Sequence, residues 1–108
     1  MMDGASKKSR RVLAKLDEIE EEMRRIGYWA QKPPQFSVES YLDAPSFELW
    51  LQCIFMPNAR EAAAEDSYPR QSQVGVMAMR QYDYHSHIEE AQTLLRLLGE
   101  FDRIIEHK

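Results

Sequence analysis

The sequence is poor in cysteine and glycine, with one cysteine, Cys53, and four glycines in 108 residues. A single cysteine excludes an intramolecular disulfide and a cysteine-rich zinc site, and a lone thiol in an apolar stretch fits a reducing cytoplasm. The longest apolar stretch, residues 47–56, is interrupted by Glu48 and Gln52 and is too short to cross a bilayer. The N-terminus lacks the apolar segment of a signal peptide. We therefore expect a cytoplasmic protein that makes no membrane contact.

The sequence also lacks the motifs that most enzymes of this size would need. It has no Gly-x-Ser-x-Gly elbow, no phosphate-binding loop and no His-Glu-x-x-His, and no Glu-x-x-His pair of a di-iron bundle. His85 and His87 lie close to Glu89, but three ligands are fewer than a structural zinc site requires, so surface positions are favoured. Cys53 lies at helical spacing among apolar residues, which indicates a buried, inert thiol. We predict no catalytic residue, no metal and no cofactor.

Acidic residues outnumber basic ones, 18 to 14, but basic residues are concentrated near the N-terminus. The net charge is −4, so the whole protein repels nucleic acid and direct RNA binding is expected to be weak at most. Cationic groups at the start of a helix oppose the helix dipole and so lower the stability of the helix. A feature that lowers stability suggests a function, here a contact with RNA or an acidic partner. The alternative is a solvated tail, frayed over residues 1–8. The candidate basic surface consists of Lys7, Lys8, Arg10, Arg11 and Lys15.

Apolar residues recur at helical spacing, and no segment shows the alternation of a strand. We predict an all-α, single-domain four-helix bundle over residues 1–108. The second helix begins near Asp43–Ser46 and is kinked at Pro57, because proline removes a backbone donor. A short third helix covers Val74–Tyr82, and a fourth covers residues 86–107, where Ser86 and Glu89 form a capping box. The first helix shows the clearest face: Val12, Leu16, Ile19, Met23 and Ile26.

The first connection, residues 28–45, is unusually rich in aromatic residues and proline. Aromatic patches are typical of interfaces, so Tyr28, Trp29, Pro34 and Phe36 are candidate partner-binding residues. The alternative is that the connection folds back and covers one end of the bundle. Self-association as a homodimer through this connection is compatible with both functional hypotheses, protein binding and the ligand binding considered next.

A second hypothesis places a small-ligand or effector pocket beside the kink at Pro57. Helical bundles hold ligands between their helices, and the candidate lining residues are Trp50, Phe55, Met56 and Met77.

Two segments carry a resemblance to a known family. Trp29, Pro33-Pro34 and Phe36, followed by Phe-Glu-Leu-Trp-Leu-Gln at residues 47–52 and by Pro57, resemble the YqcC-like family of small bacterial proteins. This chain departs from the family at Cys53, where members usually have an aromatic residue, and at Asn58, where they usually have a basic residue. The resemblance implies a helical bundle without established catalysis, often encoded beside tRNA pseudouridine synthase C. It therefore suggests a non-catalytic accessory protein that binds another protein, such as that tRNA-modifying synthase.

Overall fold

A computed structural model describes residues 6–36, 41–82 and 88–107, with Tyr41 described for its backbone only. All regular structure in these residues is helical. Helix α1 is Lys7–Arg25, α2 covers residues 47–65, α3 is Val74–Tyr82 and α4 is Gln92–Glu106, with 3₁₀ turns at Tyr41–Asp43 and Glu89–Ala91. The all-α, four-helix single domain is therefore confirmed. His85, Ser86 and His87 lie outside the described residues. The fourth helix, expected from residue 86, begins later, at Gln92, after the 3₁₀ turn Glu89–Ala91.

Helix α1 provides the central face of the core. Ser6 caps its start, since the Ser6 hydroxyl accepts a hydrogen bond of 2.9 Å from the Ser9 backbone N–H. Its apolar face is fully buried over four successive positions, Val12, Leu16, Ile19 and Met23, against α4 and the C-terminal half of α2. The frayed tail expected over residues 1–8 is wrong for Lys7 and Lys8, which belong to the helix, and residues 1–5 lie outside the described residues.

Helix α2 contains an irregular turn. An α-helical turn, Phe47–Trp50, is followed by a π-helical turn, Leu51–Phe55, and by an α-helical segment, Met56–Glu65. The Met56 backbone N–H donates to the Leu51 carbonyl, five residues earlier. In a regular helix the Pro57 ring would clash with the carbonyl four residues earlier, and it has no N–H to donate. The break expected at Pro57 thus takes the form of a π-helical turn just before it.

Helices α3 and α4 cross at two glycines. A Cβ built on Gly75 would lie 2.9 Å from the Cα of Gly99, whereas a Cβ on Gly99 would meet nothing within 4 Å. Gly99 lies at this close contact, but Gly75 is the residue whose missing side chain permits it. The carboxylate of Asp102 accepts hydrogen bonds from the backbone N–H groups of Val74 (3.1 Å) and Gly75 (2.8 Å). A residue of α4 therefore caps the start of α3.

Candidate functional site

The π-helical turn of α2 places two aromatic side chains side by side. In a regular α-helix, residues five apart point about 140° away from each other. Because a π-helical turn hydrogen-bonds residues five apart, Trp50 and Phe55 lie on the same face, with ring centroids 6.0 Å apart and planes inclined by 27°. Phe101 of α4 then meets Phe55 edge to face at 5.1 Å. Three rings thus form one wall of a pocket.

This pocket has a volume of about 270 Å³. It lies between α2, the connection that follows α2, the first turn of α3, and the C-terminal half of α4. Its lining is mainly carbon, and none of the described residues that line it is charged. The lining residues are Trp50, Phe55, Asn58, Ala59, Ala62, Tyr68, Pro69, Ser72, Gln73, Val74, Met77, Phe101 and Ile105.

Three of the four residues predicted for this pocket line it, namely Trp50, Phe55 and Met77. Met56 does not, because it is only 2% exposed and packs in the core. The π-helical turn explains the difference. Met56 lies five residues after the fully buried Leu51, so it shares the core-facing side of α2 with Leu51 rather than the side of Trp50.

Asp102 holds the wall of the pocket formed by the start of α3. Besides capping α3, its carboxylate accepts a hydrogen bond from the hydroxyl of Ser72, a lining residue. Burial raises the pKa of Asp102, while the hydrogen bonds from Ser72, Gly75 and Val74 act in the opposite direction. This carboxylate has a structural role that sequence analysis did not identify, since its partners lie about 30 residues away in the chain.

The first connection is held against α2 by one glutamine. The Gln52 side-chain oxygen accepts a hydrogen bond from the Ala30 backbone N–H at 2.9 Å, and its amide nitrogen donates to the Ala30 carbonyl at 2.7 Å. Gln52 is buried, so these two bonds satisfy both of its polar atoms. This clamp fixes the aromatic connection on the surface of the bundle.

The four candidate partner-binding residues fall into two groups. Tyr28 and Trp29 pack half-buried against the core, Tyr28 against the ring of Tyr82 at 5.5 Å and Trp29 beneath the Arg24 guanidinium at 5.0 Å. For these two residues the connection does fold back onto the bundle.

Pro34 and Phe36 lie further along the connection. Pro34 is exposed and Phe36 is half-buried, and both line a shallow surface depression together with Pro33, Gln35 and Cys53. Cys53, expected to be buried, is only half-buried, and burial raises the pKa of its thiol. None of the described residues lines both the depression and the aromatic pocket.

Lys8 and Lys15 of the candidate basic surface make contacts within the fold. The Lys8 ammonium donates to the carbonyls of Ile105 (2.7 Å) and His107 (2.9 Å) at the end of α4. Lys15 pairs with Glu100 at 2.7 Å and Glu18 at 3.0 Å. Because α1 and α4 are antiparallel, a cation at the start of α1 lies where the dipole of α4 favours it. Lys7, Arg10 and Arg11 are exposed.

Within residues 6–36, 41–82 and 88–107, no group of three His, Cys, Asp or Glu side chains is placed to hold a metal ion. In the same part of the chain, no helix combines the length and the apolar character needed to cross a membrane.

Similarity to known protein families shows to which family the chain belongs. Residues 11–104 match the DUF446 family, a domain of unknown function described as tRNA pseudouridine synthase C. The chain belongs to this family. No curated protein and no solved structure matches it. Membership confirms the link by name to that synthase, whereas the YqcC-like assignment stays a prediction.

Proposed function

We propose that this DUF446 chain is a non-catalytic, cytoplasmic accessory protein that binds another protein, a tRNA pseudouridine synthase. The family description carries the proposal, because it links the chain by name to that synthase. Synthase chemistry needs a catalytic aspartate in a mixed α/β fold, whereas the described residues here form helices only. The accessory role therefore accounts for the name better than catalysis does.

The partner surface is the depression formed by Pro33, Pro34, Gln35, Phe36 and Cys53, with Trp29 nearby in the connection. Aromatic residues and prolines held in place lose little conformational entropy on binding, and the Gln52 clamp fixes this connection. Direct RNA binding is weak in this proposal, since the net charge is −4 and both Lys8 and Lys15 already have partners.

The single cysteine offers a local test of this surface. The chain is mixed with tRNA pseudouridine synthase C of the same organism, treated with ribonuclease, and the rate of Cys53 alkylation is measured with and without the synthase. We expect complex formation in calorimetry and slower alkylation, because the partner would cover the depression. A complex that leaves the alkylation rate unchanged would move the interface elsewhere, and no complex at about 100 μM would overturn the proposal.

Two alanine variants separate binding from folding. Phe36→Ala should weaken the complex about tenfold or more, as for an interface anchor, with little loss of stability. Met79→Ala is the matched control, because Met79 is an exposed apolar residue of α3 outside the depression. Trp29→Ala tests the neighbouring ring: a stability loss of roughly 3 kcal/mol or more would assign Trp29 to the core. Sedimentation of the chain alone tests the homodimer.

Binding of a small ligand is the second candidate function, and the aromatic pocket favours it. Ligand pockets are concave and mainly apolar, with a few polar groups that orient the ligand, and the pocket of about 270 Å³ has this character.

A further inference from the structure

We propose that the aromatic pocket binds an uncharged aromatic molecule of two fused rings that carries one hydrogen-bonding group. This inference rests on the second candidate function and names the chemical class of its ligand. It depends on three features of the pocket: its volume, the arrangement of its rings and the polar residues at its rim.

The volume sets the size of the ligand. An enclosed apolar cavity of about 150 Å³ holds one benzene ring. The pocket, at about 270 Å³, is nearly twice as large, so it has room for two fused rings. A single ring would leave lining atoms without contacts, and a third ring would extend into solvent.

The lining favours an aromatic over an aliphatic ligand. Trp50 and Phe55 are stacked at 6.0 Å, and Phe101 meets the ring of Phe55 edge to face at 5.1 Å. A further ring against this wall gains the stacked and edge-to-face geometries that aromatic pairs prefer. Met77, half-buried at the pocket, adds a thioether that makes favourable contacts with rings. These contacts together are expected to favour the aromatic ligand about tenfold over its saturated counterpart.

The polar groups determine the charge and the orientation of the ligand. Among the described residues, none that lines the pocket is charged, so burying an ionised group there would go uncompensated. The hydroxyl of Ser72 is engaged by Asp102, and that of Tyr68 by Ser9. Asn58 and Gln73 are exposed lining residues, and their amides can both donate and accept. A hydroxyl or carbonyl on the outer ring would reach these amides.

The experiment uses 2-naphthol as the probe and the full chain. Calorimetry should give a dissociation constant of roughly 10–100 μM for a ligand of this size. Methyl NMR should show shifts at Met77 and Ala62, which line the pocket, and none at Met23, which is buried in the core on α1. Saturable binding with shifts at Met23 but not at Met77 would overturn the assignment to this pocket.

Two analogues test the ligand class. Decahydro-2-naphthol keeps the carbon skeleton without the aromatic rings, and we expect about tenfold weaker binding. Naphthalene-2-sulfonate adds a charge and should bind more weakly still. Equal or tighter binding of either analogue would overturn the ligand class and leave small-ligand binding standing. If no analogue binds below about 1 mM, the inference and the second candidate function both fail, and the accessory function is unaffected.

Two substitutions on one helix test the location independently. Ala62→Phe fills the pocket, and we expect at least tenfold weaker binding of 2-naphthol. Ala64→Phe is the matched control, because Ala64 is exposed on the same helix and does not line the pocket. It should stay within twofold of the parent chain. Far-UV circular dichroism checks that both variants fold, and the methyl shifts of the parent chain decide the location should Ala62→Phe unfold. Equal binding by both variants would overturn the site.

Discussion

The crossing of α3 and α4 makes a prediction that depends on one carbon atom. In Gly75→Ala the new Cβ would lie 2.9 Å from the Gly99 Cα, 3.0 Å from the Gly99 nitrogen and 2.9 Å from an Asp102 carboxylate oxygen. A flexible side chain could rotate away from the new Cβ, but two of these three atoms belong to the backbone of Gly99. The helices must therefore move apart, or the Asp102 carboxylate must leave its position.

Either movement destabilises the fold. Overpacking of a well-packed contact costs about 1–3 kcal/mol, and displacing Asp102 would weaken its bonds to the Val74 and Gly75 N–H groups, each worth about 1 kcal/mol. Gly75 lies in the first turn of α3, where the gain in helix propensity over glycine is small. We expect Gly75→Ala to lower the free energy of unfolding by about 2 kcal/mol.

Gly99→Ala is the control for this change, because it makes the same substitution on the other side of the crossing. A Cβ on Gly99 would meet nothing within 4 Å, and Gly99 lies in the interior of α4. Alanine there should add about 1 kcal/mol of helix propensity. For a chain of this size, that raises Tm by roughly 4 °C.

Urea denaturation followed by far-UV circular dichroism measures both changes. The two variants should shift the midpoint in opposite directions, with Gly75→Ala below the parent chain and Gly99→Ala above it. Shifts of the same sign, or a Gly75→Ala midpoint equal to that of the parent chain, would refute the assignment of the close contact to Gly75.

Three further predictions concern polar residues that connect the helices. Hydrogen bonds from the hydroxyls of Ser6 and Ser9 hold the pKa of Asp66 below its ordinary value. The Asp66 carboxylate therefore stabilises the fold above about pH 4, and this stabilisation is lost as the pH falls through the lowered pKa. Asparagine tolerates the left-handed backbone at this position, so Asp66→Asn should make Tm fall less steeply below pH 4. The same dependence of Tm on pH as in the parent chain would contradict this. Lys8→Met removes two hydrogen bonds to the end of α4 and should cost about 1–3 kcal/mol in urea denaturation, whereas full stability would exclude its capping role. Asp102→Asn replaces one acceptor oxygen by a donor and should also cost about 1–3 kcal/mol; thermal melts at neutral pH that match the parent chain would argue against the cap.

The helices could be predicted from the sequence because their apolar spacing is local information. On α1 the four buried apolar positions are the predicted ones, and α3 covers the predicted range. On α4, Leu94, Leu98 and Phe101 have the same helical spacing and are buried. In each case the period of the helix alone determines which residues face the core.

The polar contacts that join the helices could not be predicted in this way. Asp102 caps a helix that begins 28 residues earlier, and Lys8 binds carbonyls 97 and 99 residues later in the chain. From the sequence alone, the basic run can be compared only with the dipole of its own helix, where positive charge is unfavourable. For Lys8, however, the C-terminal end of the antiparallel α4 lies within hydrogen-bond distance, and the dipole of α4 favours a cation there. Only the tertiary arrangement shows this contact.

The π-helical turn links both candidate surfaces to one short segment. With regular α-helical geometry, Trp50 and Phe55 would point about 140° apart, and they would not form one wall. Because the turn makes residues five apart neighbours, Trp50 and Phe55 line the pocket while Gln52 and Cys53 face the first connection. Pro57 makes a regular helix unfavourable at this point. The segment from Trp50 to Pro57, which carries part of the family resemblance, therefore encodes an irregular turn that supplies side chains to both the aromatic pocket and the surface depression.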